Sequence, residues 1–229
     1  IRLNSAMTSS DELDKELDII KKNSVPTPLY FDVKGRQLRV EEVIPNSNYL
    51  DIRLNHPIEI ETPCPILFKA GSDAAYLLRL EEDGKRLIFD GGPKFKVKVG
   101  ESLHLRNDKS KVLGSIFSEL EKAKIEKVKQ FGFKKHFLSY VEKQSDIDEF
   151  EELVGKDCEI WLKIESKGGL NFVANSFKKK ENLTLVAARG DLYVEVDKPH
   201  EIISALKLIA EKDTEACVGS RFFLSIVPG

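Results

Sequence analysis

Hydrophobic and polar positions along the chain alternate between helical and β-strand spacing. Leu13, Leu17 and Ile20 recur at helical spacing after Ser10, which predicts a capped amphipathic helix over 10–22. Pro26 and the residues around it end this helix, because proline cannot continue the backbone hydrogen-bond ladder.

The pattern then changes to short apolar runs separated by turn residues. Asp83-Gly84 lies between two such runs and is a strong hairpin signal. Many short strands at this spacing are typical of a small barrel or sandwich. The predicted strands are 29–33, 36–44, 49–54, 57–61, 65–69, 75–82, 86–90, 94–98 and 101–106.

The second half of the chain mixes helices with strands. A long helix over 109–130, capped by Asp108, has an apolar stripe along one face. Residues 134–142 fit either a helix or a strand. Further helices are predicted over 145–154, ending at Gly155, and over 199–211; further strands are predicted over 157–165, 170–177, 183–188, 191–196 and 221–227.

These elements predict a β-rich α+β fold with two small β-barrel or sandwich-like domains joined by a long helix. Met7 is the only methionine, so we expect it to be the native start and exclude residues 1–6 from the fold. The predicted organisation is an N-terminal tail and helix (1–24), a β-domain (25–107), a connecting helix (108–135) and a second β-domain (136–229).

Composition limits the classes of partner and compartment. Apolar residues make up 41% of the chain and the formal net charge is −2, so a packed core is expected and no global attraction to nucleic acid. Cys64, Cys158 and Cys217 are too far apart for a zinc knuckle or a disulfide framework. No apolar run reaches the ~18 residues of a membrane span, and no signal peptide is visible. We expect a cytoplasmic protein.

The candidate chemical groups do not form a catalytic motif. The four histidines are widely spaced, and no G-x-S-x-G or phosphate-loop pattern is present. We therefore expect no enzyme activity, no metal and no cofactor. An enzyme whose site is assembled from scattered residues stays open, and a deep pocket with a convergent histidine–carboxylate pair would favour it.

One segment carries a family resemblance. Residues 160–173 read IWLKIESKGGLNFV, with Ser166 and Gly169 in S-x-x-G spacing. This resembles the central turn of PilZ domains, small β-barrels that bind cyclic di-GMP through [D/N]-x-S-x-x-G and an upstream arginine motif. Ile164 replaces the Asp or Asn of that motif, and Arg106 stands alone where two arginines are expected.

The resemblance implies a degenerate, non-enzymatic PilZ-like regulatory protein that docks protein partners, with cyclic di-GMP as the candidate ligand. In flagellar-brake proteins of this family a separate β-domain precedes the PilZ barrel, as predicted here. Basic groups would bind the phosphates and the serine–glycine turn would bind the ligand edge. The implied ligand residues are Arg106, Lys109, Lys111, Ser166 and Gly169.

A nucleic-acid-binding protein is the alternative. Basic residues recur from Lys122 to Lys135, with Phe131 and Phe133 among them. Lysines beside aromatic rings can bind phosphates and stack bases, so this cluster and an open β-barrel face could bind a nucleic acid. Glutamates interleave with the lysines, which equally fits a solvated helix face.

Overall fold

A computed structural model describes residues 1–6, 8–23, 26–69, 71–105 and 110–219. The strands are β1 (Arg2–Asn4), β2 (Tyr30–Val33), β3 (Val40–Ile44), β4 (Tyr49–Leu54), β5 (Ile58–Glu59), β6 (Cys64–Phe68), β7 (Asp73–Glu81), β8 (Arg86–Asp90), β9 (Leu103–His104), β10 (Lys111–Val112), β11 (Lys135–Leu138), β12 (Glu159–Ile164), β13 (Leu183–Ala188) and β14 (Cys217–Gly219). The helices are α1 (Ser10–Asn23), α2 (Glu119–Phe131), α3 (Gln144–Val154), α4 (Lys167–Asn175), α5 (Arg189–Glu195) and α6 (Glu201–Lys212).

The chain divides into two compact units. Unit 1 comprises the described residues of Ile1–Gly35 and Glu119–Gly229, and unit 2 is Arg36–Ser118. Unit 2 is therefore inserted in the sequence between the second strand and the second helix of unit 1.

Unit 1 is built on a parallel sheet whose strands follow one another in chain order. The order is β1-β2-β11-β12-β13-β14, with every neighbouring pair parallel. Helices follow the strands in the sequence, as parallel crossovers require. A doubly wound sheet reverses its strand order, whereas this sheet does not, so unit 1 has the arrangement of a half-barrel from a (β/α) barrel.

The helix sequences explain why the crossovers form. In α1, Ser9 Oγ accepts the Glu12 backbone N–H at 3.2 Å while the Glu12 carboxylate accepts the Ser9 N–H at 2.8 Å, a capping box. Leu13, Leu17 and Ile20 form the buried face of the helix. The helix predicted over 10–22 is confirmed, although Ser9 rather than Ser10 provides the cap.

Unit 2 is an antiparallel sheet whose edges meet. Its strand order is β3-β4-β8-β7-β6-β9. An antiparallel bridge joins Arg39 to Ser102, the Leu103 N–H donates to the Leu38 carbonyl at 3.1 Å, and the Val40 N–H donates to the Glu101 carbonyl at 2.9 Å. The sheet therefore closes on itself around an apolar core that includes Phe68 and Phe89. The hairpin predicted at Asp83-Gly84 is confirmed as the link between β7 and β8.

Several sequence predictions were wrong. Arg2–Asn4, excluded from the fold, is a strand of the parallel sheet. The helix predicted from 109 begins at Glu119, and Lys111–Val112 before it is a strand paired with β5. Residues 94–98 form no strand, and the Lys94 N–H instead donates to the Asp73 carboxylate at 2.8 Å.

The predicted strands 170–177 and 191–196 are mainly helical, as α4 and α5. In consequence the second β-barrel predicted over 136–229 is wrong, because parallel strands alternate there with helices. The prediction of a mixed α and β fold is confirmed. The strand predicted over 221–227 and the cap at Asp108 lie outside the described residues. Within the described ranges, no helix is both long and apolar enough to span a bilayer.

Candidate functional site

The carboxyl ends of the parallel strands bring polar side chains together. In (β/α) barrels, functional residues lie at this end of the strands. Side chains two residues apart share a face of a strand. Asp32, Ser139 and Lys163 therefore lie on the same face as Tyr30, Phe137 and Trp161, nearer the carboxyl ends of the strands. The buried side chains of Phe31, His136 and Ile160 lie on the opposite face.

The aromatic residues form a connected base below this polar layer. The ring centroids of Phe137 and Trp161 are 5.3 Å apart, and those of Tyr30 and Phe137 are 5.5 Å apart. These contacts connect the start of β2 with β11 and β12. The polar side chains at the strand ends are thereby held on a rigid support.

Lys163 is the centre of the polar layer. Its Nζ lies 2.9 Å from Glu165 Oε1 and 3.8 Å from Asp32 Oδ1, and it donates a hydrogen bond of 2.9 Å to Ser139 Oγ. The Ser139 hydroxyl in turn donates to Asp32 Oδ1 at 3.4 Å. Burial opposes the ammonium charge, but Glu165 and Asp32 outweigh it and raise the pKa of Lys163.

Glu165 is fully buried, directly after the end of β12. Its Oε2 accepts the Tyr140 backbone N–H at 2.8 Å. Burial raises the pKa of Glu165 to about 7, although the adjacent Lys163 acts in the opposite direction. The carboxyl group therefore titrates near neutral pH, which is common in functional sites.

Further charges border the pair. Asp191, in the first turn of α5, is close enough to raise the pKa of both Lys163 and Glu165. Arg2 at the neighbouring strand lies 3.6 Å from Asp32 and its side chain is 57% exposed. Among the described residues, no group of three or more His, Cys, Asp or Glu is arranged to hold a metal ion by itself.

The serine–glycine turn, the basis of the PilZ resemblance, is a helix cap. Ser166 Oγ accepts the Gly169 N–H at 3.1 Å at the start of α4 and donates to Glu142 Oε1 at 2.6 Å. The structure thus brings Ser166 and Gly169 together, in a role that stabilises the helix. Lys111 lies in unit 2, and Arg106 and Lys109 lie outside the described residues.

The basic cluster predicted for nucleic acid is engaged within unit 1. Lys122 pairs with Glu119, Lys127 with Asp14, Lys134 with Asp157 and Lys135 with Glu159. Lys124 Nζ donates to the Ser5 and Thr8 carbonyls, and Lys129 Nζ donates to the Leu153 carbonyl. These six lysines are therefore occupied by local partners, and their pattern is that of a solvated and partly buried surface formed by α2 and the start of β11.

Sequence reasoning missed Asp32, Ser139, Lys163, Glu165 and Asp191. A signal for them exists, because each lies at or just after the end of an apolar strand. The signal is usable only when the strands are known to be parallel, and the assignment of α4 and α5 as strands concealed the alternation of strands and helices.

Comparison with known proteins points to an enzyme family. The chain is 24% identical over 241 residues to the pyruvate kinase of Borreliella burgdorferi, covering 95% of this chain and 48% of that protein. It is also 24% identical over 216 residues to the pyruvate kinase of Debaryomyces hansenii, covering 81% of this chain and 42% of that protein. The chain thus spans about half the length of these relatives. No protein-family model matches the chain.

These similarities overturn the functional prediction. Both relatives are named as kinases, so the prediction of a non-enzymatic PilZ-like regulator responsive to cyclic di-GMP is wrong. The nucleic-acid alternative is wrong with it. The physical reason is local: S-x-x-G spacing serves a helix N-cap as readily as a ligand-binding turn.

Proposed function

We propose that this chain forms part of a phosphoryl-transferring enzyme related to pyruvate kinase, with its site at the strand ends of the half-barrel. The observation that carries the proposal is the Lys163–Glu165 ion pair, whose carboxyl group is fully buried, placed where (β/α) barrels hold their functional groups. The similarity to two pyruvate kinases along most of the chain supports it.

The site suits the charge changes of phosphoryl transfer. Catalysis of this reaction depends mainly on positioning and on stabilising the charge of the transferred group. Lys163 offers a fixed ammonium group, and Arg2 an exposed guanidinium beside it. Pyruvate has no hydroxyl group, so its phosphorylated form is the enol ester. Release of the phosphoryl group leaves an enolate, which takes a proton at its methylene carbon to give pyruvate.

We expect a divalent cation to accompany the phosphate at the same site. Mg²⁺ in such enzymes uses one or two carboxylates and completes its shell with water and phosphate oxygens. The carboxylates of Glu165 and Asp191, which interact electrostatically, are donors of that type. They would hold the ion, which would neutralise phosphate charge.

The test is binding and turnover with a matched pair of variants. Lys163→Met removes the central ammonium group, whereas Lys207→Met removes a lysine whose side chain is 75% exposed on α6. We expect the enol phosphate of pyruvate, with Mg²⁺, to bind the wild-type chain and Lys207→Met, and to bind Lys163→Met about 100-fold more weakly. Phosphoryl transfer to a nucleoside diphosphate should follow the same order. The proposal would be contradicted if both variants bound the enol phosphate equally well, or if neither variant nor the wild-type chain bound it.

Two finer features belong to the same proposal. Unit 2 is a small β-barrel module, supported by the hydrogen bonds that join its edges. A cytoplasmic location is supported by three free cysteines, Cys64, Cys158 and Cys217.

A further inference from the structure

Tyr140 has a backbone conformation that is rare for its residue type. It follows β11, is 9% exposed, and has a φ of +52°. Left-handed geometry is unfavourable for a bulky aromatic residue and persists where the surrounding structure enforces it. Such outliers cluster at functional sites, so the contacts of Tyr140 require an explanation.

The left-handed turn directs three consecutive residues at the Lys163–Glu165 pair. The Ser139 hydroxyl accepts a hydrogen bond from Lys163, and the Tyr140 N–H donates to Glu165 Oε2. The Val141 N–H then donates to the Lys163 carbonyl at 3.4 Å. Rotation about φ of residue 140 sets the direction of the following peptide relative to the Tyr140 N–H. A right-handed residue there would therefore not present the N–H groups of residues 140 and 141 to these two acceptors together.

Two glycines enclose the same turn. A Cβ at Gly35 would lie 2.5 Å from the Ser139 carbonyl oxygen, and one at Gly169 would lie 2.7 Å from the Val141 carbonyl oxygen. The Ser139 N–H also donates to the Val33 carbonyl at 3.0 Å. The turn is thus held from both sides by backbone contacts that only glycine permits.

We propose that Tyr140 is a positioning residue, whose left-handed backbone, held between Gly35 and Gly169, orients the Glu165 carboxylate against Lys163. The proposal assigns no chemical step to the phenol ring. It rests on the proposed function only in treating Glu165 and Lys163 as working groups of the site. The consequence for a metal-assisted site is that the turn sets the affinity for the cation.

Two substitutions separate the backbone from the ring. Tyr140→Asn and Tyr140→Val both remove the ring, but Asn tolerates left-handed geometry and a β-branched residue does not. We expect hydrogen exchange at the residue 140 amide to stay slow in Tyr140→Asn and to become about tenfold faster in Tyr140→Val, relative to globally exchanging amides. Mn²⁺, used as the probe cation, should bind Tyr140→Val about 10–100-fold more weakly than Tyr140→Asn.

Equal amide exchange in the two variants would overturn the proposal. If the wild-type chain does not bind Mn²⁺ but the exchange difference is found, the cation part of the proposed function fails and the positioning role stands. If Tyr140→Val does not fold, the proposal is tested by comparing amide exchange at residue 140 in Gly35→Ala and in Gly132→Ala. Both glycines have positive φ, but only Gly35 faces a backbone oxygen, so only Gly35→Ala should speed exchange at residue 140.

Discussion

Lys163 and Glu165 form an ion pair of 2.9 Å in which the carboxyl group is fully buried and the ammonium group is not, since the Lys163 side chain is 19% exposed. Removing one member of a buried pair leaves an uncompensated group, which costs more than the pair contributes. We therefore expect Lys163→Met to lower the free energy of unfolding at pH 8 and Lys163→Met/Glu165→Gln to recover part of the loss. Urea unfolding of the double-mutant cycle should give a coupling of about 1–3 kcal/mol. Additive effects would show that the two groups act independently.

Glu121 predicts a dependence of stability on pH. Its Oε1 accepts the Lys34 N–H at 2.7 Å and the Ser5 hydroxyl at 3.2 Å, and burial raises its pKa to about 7 from 4.5. The folded state holds this proton more tightly, so the contribution of Glu121 is full below pH 4.5 and is lost as the pH rises through 7.

Glu121→Gln should remove this loss, because the amide oxygen can accept both hydrogen bonds without becoming charged. Relative to wild type, the variant should gain on the order of 3 kcal/mol between pH 5 and pH 8. The Glu165 titration is present in both proteins and cancels. Glu126→Gln, at an exposed position of the same helix, is the control and should follow wild type at every pH. Parallel curves for Glu121→Gln and wild type would contradict the assignment.

For His136 we expect the opposite dependence, in which the free energy of unfolding falls as the pH decreases. It is fully buried against Phe150, and burial lowers its pKa to about 4 from 6.5. Its contribution is full above pH 6.5 and is lost as the pH falls through 4, because the unfolded chain takes up the proton first. His136→Leu should be less sensitive to acid than wild type by about 3 kcal/mol over this range. His200→Leu, at an exposed position, should keep the wild-type acid slope, and thermal unfolding from pH 4 to pH 7 measures both.

The helix cap at Ser166 has a measurable cost on removal. Its hydroxyl accepts the Gly169 N–H, so Ser166→Ala leaves that group without its acceptor. We expect a loss of about 1 kcal/mol in the free energy of unfolding. Ser145→Ala, at an exposed position near the start of α3, should change stability by less than about 0.5 kcal/mol. If chemical denaturation finds equal stability for Ser166→Ala and Ser145→Ala, the Ser166 hydroxyl does not stabilise the helix as a cap.

Sequence periodicity found the elements whose signals are local. Leu13, Leu17 and Ile20 predict α1 because their spacing fits one face of a helix and does not fit a strand. Asp83-Gly84 predicts its hairpin because the turn geometry favours those residues. The same reasoning failed over 170–177, where Phe172, Val173 and Phe177 suit a strand as well as a helix face. Tertiary packing decided that segment.

The candidate site was less predictable than the fold. Asp32 and Lys163 are far apart in sequence and meet because β2 and β12 both flank β11 in a parallel sheet. No spacing rule within the chain expresses that neighbourhood. The lysines from Lys122 to Lys135, by contrast, looked functional by density, and only their partners show that they serve the unit itself.

Gly168 and Gly169 are adjacent in the first turn of α4, and we expect their replacement by alanine to affect stability differently. A Cβ at Gly169 would lie 2.7 Å from the Val141 carbonyl oxygen and 3.2 Å from Ile164 Cγ2, both fixed by the sheet and its loop. A Cβ at Gly168 would lie 2.8 Å from Glu142 Cδ, the end of a flexible side chain. Gly169→Ala should therefore cost about 1–3 kcal/mol through overpacking.

Gly168→Ala should be close to neutral, because the Glu142 carboxylate can move and alanine favours the helix. Gly169→Ala should also weaken binding at the strand ends, since its added methyl group pushes on the turn that contacts Lys163 and Glu165. Urea unfolding and binding of the enol phosphate, measured on both variants, test the two effects separately. A Gly169→Ala protein as stable as Gly168→Ala would mean that the turn can yield, and a yielding turn could not hold Glu165 in place.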